Sequence, residues 1–166
     1  MDNYYLYKLF PAEGQIDPSA CWAACLRWWM FATQSIVKSQ IDILSLYDAS
    51  EDDGTISNKV IQQIINDPQW GMKQEKPIAA NKFTASKLKK MLAHGPVYVG
   101  YTETSGKKKH VNIIYDMETI NGNTRVAVME PQAIEKEDWT YDGEHQMKNL
   151  RQFNVFGTVY CGSLRK

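Results

Sequence analysis

The sequence predicts an α+β domain in which helices come first and an antiparallel sheet follows. Up to about residue 94 the apolar residues recur mostly at helical spacing, whereas β-branched and aromatic runs separated by turns dominate the remainder. The chain has 166 residues, 43% of them hydrophobic, which suits one domain with a substantial core. We therefore expect a single domain over residues 1–166, with a helical lobe at about 15–94 and a sheet lobe at about 95–166.

The first segments predict an arm and then a buried helix. Tyr4 to Phe10 is aromatic-rich and is expected to be a short strand or an extended arm across the core. Residues 17–19, Asp-Pro-Ser, form a helix-start signal, so a helix is predicted from Cys21 to about Thr33. Because apolar residues lie on all sides of this helix, we expect it to be central.

Three further helices are predicted before the sheet. Their expected ranges are 40–47, 56–65 and the segment from Thr84, which caps its helix, to the stop at His94-Gly95-Pro96. A charged turn is expected at Ser50 to Thr55, and a loop from Asp67 to Pro77.

Four β-branched and aromatic runs then predict the strands of the sheet. Hairpin signals at Ser105-Gly106 and Asn121-Gly122 indicate that neighbouring strands are antiparallel. The predicted strands are Val97–Tyr101, Val111–Tyr115, Arg125–Met129 and Phe153–Tyr160.

Composition narrows the classes of partner and cofactor. The 19 basic and 19 acidic residues balance, so neither a nucleic-acid nor an anionic-surface partner is indicated. Three cysteines do not make a disulfide framework. Cys21 and Cys25 are four apart, but no nearby Cys or His pair completes a zinc site. We expect no metal and no cofactor.

The N-terminus does not resemble a Sec signal peptide, since no basic start precedes an apolar run. No stretch has the length of a membrane span, so membrane insertion is not expected. If the protein is exported, it is expected to leave by another route or as part of a longer polypeptide; otherwise it is expected in the cytoplasm.

Cys21 is a candidate nucleophile because it falls at the start of the buried helix. Unpaired backbone N–H groups and the positive end of the helix dipole favour a thiolate there, and the thiolate is the nucleophilic form. The alternative is that Cys21 is a small buried hydrophobe, as most free cysteines are. Cys25, on the same helix, is expected to have that packing role.

A cysteine nucleophile needs a general base, and His110 is the best placed of the three histidines. It begins a predicted strand, so the sheet would hold it while its ring faces a cleft. His94 lies in a helix-stop turn and His145 in a polar stretch. An ordinary histidine at a strand start is the alternative.

A third group should accept a hydrogen bond from the imidazole. If the Asn121-Gly122 hairpin closes as predicted, Glu130 returns beside the start of the partner strand, next to His110. Gln132 is an alternative because a side-chain amide can also orient a histidine. Asp116, at the far end of the histidine strand, is a weaker one, and a solvated strand end is the alternative role for Glu130.

Gln15 is the candidate oxyanion donor, through its side-chain amide and together with the backbone N–H of Cys21. A glutamine six residues ahead of the nucleophile can fold back over the helix N-terminus across the Asp17-Pro18 turn. A glutamine in a surface loop is the alternative.

These residues resemble the active site of papain-like cysteine proteases. Gln15 followed by Cys21-Trp22-Ala23 is similar to the family's glutamine and Cys-Trp-Ala helix start. The compact length and the Glu130-Pro131 pair are more similar to the small bacterial branch, which includes bacteriocin-processing peptidase domains and injected effector proteases. Glu130 stands where that branch commonly has Asp before Pro.

The resemblance implies a papain-like fold, with Cys21 as nucleophile, His110 as base, Gln15 as oxyanion donor and Glu130 as orienter. It implies a thiol peptidase, such as a bacterial effector or toxin domain delivered by a secretion system and acting on a target-cell protein. A cognate immunity or inhibitor protein would be a further partner. Two alternatives stay open: a papain-fold amidase, deamidase or transglutaminase, including a peptidoglycan amidase, and a catalytically inactive module that binds peptides.

Overall fold

The computed structural model describes residues 3–48, 56–105 and 108–165. Within these ranges it has five α-helices and seven β-strands, which confirms the predicted α+β class. The helices are α1 (Tyr4–Lys8), α2 (Cys21–Gln34), α3 (Gln40–Leu44), α4 (Asn58–Asn66) and α5 (Ala85–Leu92). The strands are β1 (Met72–Gln74), β2 (Ile78–Ala79), β3 (Val97–Thr102), β4 (Lys109–Ile120), β5 (Asn123–Glu135), β6 (Tyr141–Asn149) and β7 (Phe156–Leu164). The turn predicted at Ser50 to Thr55, and Gly106 of the first hairpin signal, lie outside the described residues.

All strands form one antiparallel sheet in the order β1-β7-β3-β4-β5-β6, and β2 also pairs with β7. The β4–β5 hairpin closes at Asn121 and Gly122, whose φ angles are 52° and 77°. Two consecutive positive φ angles are what a type I′ hairpin turn requires, and an Asn-Gly pair adopts them readily. The predicted hairpin is therefore confirmed, but a β-bulge between Ile114 and Asp116 shifts the β4–β5 register by one residue further from the turn.

The sheet carries a hydrophobic cluster on each face. Val111, Ile113 and Met129 pack with the body of α2, whereas Ile114 and Val128 belong to the cluster that includes the apolar side of α5. This alternation follows from the two-residue period of a strand. The sheet lies between helices and shares a core with α2, so the helix that carries Cys21 is fixed directly against the strand that carries His110.

Helix α2 is buried on nearly every side, as predicted. Its buried residues include both Trp28 and Trp29, and the indole Nε1 of Trp29 donates to the main-chain oxygen of Trp70 at 2.7 Å. A helix in this position cannot move without opening the core. It therefore provides a rigid base for the residue at its N-terminus.

The segment from Tyr4 to Phe10 corrects one expectation, because it contains helix α1 and not a strand or an extended arm. Such a short helix is not stable alone, so tertiary contacts decide its conformation. The backbone N–H of Tyr4 donates to Asp116 Oδ2 at 2.8 Å, and the ring of Tyr7 packs near Trp28 and Tyr115.

Three strands were not expected from the sequence. Strands β1 and β2 lie in or next to the predicted 67–77 loop and are very short edge pairings with β7. Strand β6 has a polar composition and remains partly exposed along most of its length. The remaining predictions differ only at the ends of elements: Ser57 caps α4, Thr84 caps α5 as predicted, and β7 begins at Phe156.

Candidate active site

Cys21 is the first residue of α2 and is 6% exposed. The predicted capping is wrong in detail, because Ala20 precedes the helix and no side chain caps it. The Asp17 carboxylate accepts instead from the backbone N–H of Ser19 at 2.7 Å and from its hydroxyl at 2.8 Å, which closes the turn ahead of the helix. The first backbone N–H groups of α2, including that of Cys21, therefore have no side-chain cap.

His110 is the second residue of β4 and pairs with Tyr101 of β3. Its side chain is 5% exposed, and its Nε2 lies 2.7 Å from Glu130 Oε2. Cys21 lines the same cleft as His110, and its interaction with the ring is one of the causes that raise the pKa of His110. The structure thus brings the predicted nucleophile, base and orienting group together in one place.

Strand register explains why Glu130 reaches His110. Ile113 of β4 is opposite Met129 of β5, so the next residue, Glu130, falls opposite Asn112 and diagonally across from His110 on the same face. Of the two other candidates, Gln132 lines the same cleft, whereas Asp116 lies away from it. The backbone N–H of Gln132 donates to Glu130 Oε2 at 2.9 Å, and Asp116 accepts from the N-terminal helix.

The ionisation states of the pair follow from their contact. Burial by itself lowers the pKa of His110, but the charge of Glu130 and hydrogen bonds with Cys21 and Glu130 outweigh it and raise the pKa to about 10. Burial raises the pKa of Glu130, whereas the cations of His110 and Lys148 lower it, and the net pKa lies well below the ordinary range. At neutral pH this is an imidazolium–carboxylate ion pair.

Gln15 is fully buried in an arm that runs against the edge of the sheet. Its backbone N–H donates to the carbonyl oxygen of Pro131, and its carbonyl accepts from the N–H of Tyr141, both at 3.0 Å. The approach is so close that a Cβ on Gly14 would lie 1.8 Å from the oxygen of Tyr141, and one on Gly143 would lie 2.3 Å from the oxygen of Glu13. Only glycine fits at either position.

A second glutamine clamps this arm from helix α3. Gln40 is 3% exposed, accepts from the N–H of Ile16 at 3.2 Å and donates to the oxygen of Gly14 at 2.7 Å. The arm is thus held on one side by the sheet and on the other by α3. These contacts are long-range and have no signature in the local sequence.

The side-chain amide of Gln15 lies close to the start of α2. Its Nε2 donates to the main-chain oxygen of Asp17 at 2.9 Å, which leaves a second N–H on the same nitrogen. Its Oε1 is buried and has no hydrogen-bond partner among the described residues. A buried amide with unused hydrogen-bonding capacity is costly in a core but is typical of a site built for a ligand.

An open cleft of about 610 Å³ gives access to Cys21, His110 and Glu130, whereas Gln15 lies behind the turn and is not among its lining residues. Its walls come from the turn before α2, from the β3–β4 hairpin and from the end of β5. They include Ser19, Cys21, Glu103, His110, Glu130 and Gln132. The exposed Lys108 and the half-buried Lys109 make one rim basic.

Sequence reasoning missed Lys148 and Glu103. Lys148 Nζ lies 2.5 Å from Glu130 Oε1, and Glu103 Oε1 lies 4.0 Å from His110 Nδ1. The sequence does contain a pattern that indicates the strand of Lys148. Between Tyr141 and Asn149, acidic, amide and basic residues alternate with Tyr, Gly, His and Met. That two-residue period is typical of a half-buried strand.

The remaining cysteines and histidines occupy structural positions. Cys25 is buried, its Sγ lies 3.5 Å from the carbonyl oxygen of Val111, and burial raises its pKa well above the ordinary value. Cys161 is also buried, and burial raises its pKa. His145 bridges the oxygen of Phe10 and the hydroxyl of Tyr115. His94 is exposed at the end of α5.

No cluster of three or more potential metal ligands occurs in the part of the chain that the structure describes. None of the helices described there combines the length and apolarity needed to cross a membrane. No protein-family model matches the chain, and no curated protein matches it significantly. A functional conclusion therefore depends on the geometry of the site.

Proposed function

We propose that the protein is a cysteine peptidase of papain-like architecture that hydrolyses peptide bonds through a thioester on Cys21. One observation carries this proposal: Cys21 at the N-terminus of a buried helix lines one open cleft with His110, and His110 is paired at 2.7 Å with the buried carboxylate of Glu130. Nucleophile, base and orienting group in this order are the elements of acyl transfer.

The charge distribution supports the first step. An imidazolium held by Glu130 stabilises negative charge on a neighbouring sulfur, and the free N–H groups of α2 act in the same direction. The Cys21 sulfur attacks the carbonyl carbon of the peptide, and the carbonyl π electrons move to oxygen. When the C–N bond breaks, the His110 proton passes to the leaving amine and the thioester remains.

Water completes the cycle. The now neutral His110 takes a proton from a water molecule, whose oxygen attacks the thioester carbon. The C–S bond then breaks, which releases the carboxylic acid product and regenerates the sulfur anion beside the imidazolium. No step needs a metal or a redox partner, because bonds are exchanged without net oxidation.

The oxyanion formed in each half-reaction needs hydrogen-bond donors. The backbone N–H of Cys21 and the second N–H of the Gln15 amide are the groups that we propose for this role. Their support is the buried position of Gln15 and its hydrogen bond to Asp17, four residues before Cys21.

Thiol labelling separates an enzyme from an inactive binding module. With iodoacetamide at neutral pH, Cys21 should be alkylated much faster than Cys25 or Cys161, which are both 0% exposed. Mass spectrometry of tryptic peptides identifies the labelled residue. His110→Ala should slow labelling of Cys21, and equal sluggishness of all three thiols in the native protein would contradict the proposal.

Peptide hydrolysis tests the reaction itself. The native protein incubated with a protein-derived peptide library should generate new N-termini, and Cys21→Ala should generate none. Cys25→Ala is the matched control, because it changes the same helix one turn further on and should leave hydrolysis in place. Ammonia release without chain cleavage, or release of peptides from purified peptidoglycan alone, would instead identify a deamidase or a cell-wall amidase.

A further inference from the structure

Lys148 is a buried cation that the proposed mechanism does not use. It lies on β6, and its side chain is only 10% exposed. Its Nζ is 2.5 Å from Glu130 Oε1 and 2.8 Å from Asn112 Oδ1, and it stands 5.9 Å from the ring centroid of Phe153. Lysine is almost never buried to this extent without a partner, so these contacts hold it there.

The two oxygens of Glu130 have different partners. Oε2 contacts His110 Nε2 at 2.7 Å and accepts from the backbone N–H of Gln132 at 2.9 Å, whereas Oε1 accepts from Lys148. Glutamate has one more rotatable bond than aspartate, so a hydrogen bond to one oxygen would leave the carboxylate free to turn. Lys148 removes that freedom.

Asn112 fixes the lysine in turn. Its Oδ1 accepts from Lys148 and from the hydroxyl of Tyr101 at 3.1 Å, and its Nδ2 donates to the oxygen of Val111 at 2.9 Å. Asn112 is 0% exposed, so its orientation is determined by these bonds. A continuous chain of contacts therefore runs from the core to the imidazole.

Charge gives Lys148 a second effect. In the reactive state of the proposed mechanism, an imidazolium, a carboxylate and a sulfur anion sum to one negative charge, which costs free energy to bury. The ammonium of Lys148 brings the sum to zero. Because it shares Glu130 with His110, it also reduces the field that the carboxylate exerts on the imidazole.

We propose that Lys148 is a positioning residue of the Cys21–His110 site, which locks the Glu130 carboxylate toward His110 and offsets its charge. The catalytic role of Lys148 rests on the proposed function. The effect of Lys148 on His110 is a property of the folded protein alone. The two parts can be tested separately.

Titration of His110 tests the effect of Lys148 on the imidazole and needs no enzymatic activity. The measurement is the ring ¹³C and ¹⁵N shifts of His110 in the Cys21→Ala background, where loss of the sulfur brings its pKa down into an accessible range. The groups facing the ring are Tyr101, Glu103, Glu130 and Lys148, with Lys108 and Lys109 at the cleft rim. Lys148→Met should raise the pKa of His110 by roughly one unit, because Glu130 Oε2 keeps its contacts with His110 and the Gln132 N–H while the opposing charge of Lys148 is lost.

Two variants make this result specific. Lys148→Gln keeps an N–H donor and removes the charge, so it should show the same upward shift if Lys148→Met does not fold. Lys108→Met removes an exposed lysine from the same cleft and should shift the pKa by no more than a few tenths of a unit. An unchanged His110 titration in folded Lys148→Met or Lys148→Gln would overturn the inference.

Kinetic measurements with the active protein test the catalytic role of Lys148. Lys148→Met should lower kcat on a cleaved peptide by about tenfold and leave KM nearly unchanged, because Lys148 acts on the base and not on bound substrate. Lys148→Arg, which keeps charge and donors, should restore part of the loss. If the titration shifts but the native protein cleaves no peptide, the proposed function fails while the coupling between Lys148 and His110 stands.

Discussion

The two walls of the cleft are built by different means. The helix wall consists of the turn that leads into Cys21. Behind this turn lies the arm that carries Gln15, which is held by main-chain bonds to Pro131 and Tyr141 and by the Gln40 clamp. The strand wall consists of neighbouring strands, and its polar groups are held by ion pairs between side chains that lie on the same face of the sheet.

Because of this difference, we expect the two walls to have separate roles in the site. The helix wall offers N–H groups whose positions are set by backbone geometry, so its defects should reduce the rate without changing any titration. The strand wall sets the charge of the imidazole, so its defects should move the pH dependence. Substitutions on each wall can therefore confirm or break the comparison.

Gly14→Ala should have the largest effect. Its Cβ would lie 1.8 Å from the main-chain oxygen of Tyr141, so the arm must leave the sheet and carry Gln15 with it. We expect hydrolysis to fall by about 10⁴-fold, since displacing an oxyanion donor and the adjoining turn combines two losses, each on the order of 10²-fold. Initial rates and the midpoint of urea unfolding measure this.

Gly122→Ala is the matched control for Gly14→Ala. Gly122 has a φ of 77° but nothing within 4 Å of an added Cβ, so only local strain of about 1 kcal/mol is expected. Hydrolysis by this variant should match that of the native protein. Activity retained in folded Gly14→Ala would mean that the arm does not position the site.

Gln15→Ala should lower kcat by about 10²-fold, because it removes one proposed oxyanion donor while the arm keeps its main-chain bonds. The alkaline limb of the pH–rate profile should stay where it is in the native protein, since His110 keeps all its partners. Gln15→Glu removes the donors with little change in size and should be similarly slow. A shift of the alkaline limb in Gln15→Ala would mean that the helix wall also affects the titration of His110, which would contradict the separate roles of the two walls.

The two walls also differ in how far the sequence predicts them. Hydrophobic periodicity places α2 and Cys21, and the Asn-Gly turn places Glu130 to within one residue of its position on β5 opposite β4. A β-bulge between Ile114 and Asp116, which the sequence does not indicate, sets the register that brings Glu130 to the face of His110. The arm is different, because hydrogen bonds between main-chain groups more than a hundred residues apart leave no pattern in side-chain types. Gly14 and Gly143 permit the close approach of the two segments, but a glycine in the sequence does not indicate which segment packs against it.

Glu130→Gln should act on pH dependence more than on rate. The native site uses protonated His110, whose pKa of about 10 places the loss of activity on the alkaline side. Without the carboxylate the imidazolium is less stable, so the pKa falls and the limb should move down by at least one unit. At neutral pH kcat should fall on the order of tenfold, because the amide still orients the ring.

The same ion pair predicts a window of stability. The folded-state pKa of His110 lies above its ordinary value of 6.5, so its contribution is complete below about 6.5 and is lost as pH rises through about 10. The pKa of Glu130 lies below its ordinary value of 4.5, so its contribution is present above about 4.5 and is lost on acidification. Urea unfolding across pH should show Glu130→Gln losing stability chiefly between these limits.

Glu103→Gln should have the smallest effect and shows how burial controls the charge of the base. Its carboxylate lies 4.0 Å from His110 Nδ1, but its side chain is 38% exposed, whereas that of Glu130 is 9% exposed. Solvent and salt screen an exposed carboxylate, so the alkaline limb should move down by only a few tenths of a unit at low salt, and the shift should vanish near 1 M salt. The larger shift in Glu130→Gln should persist at that salt concentration, because ions do not enter a buried pair. Equal shifts for the two variants, or equal salt sensitivity, would mean that burial does not separate the two carboxylates and that the strand wall is open to solvent.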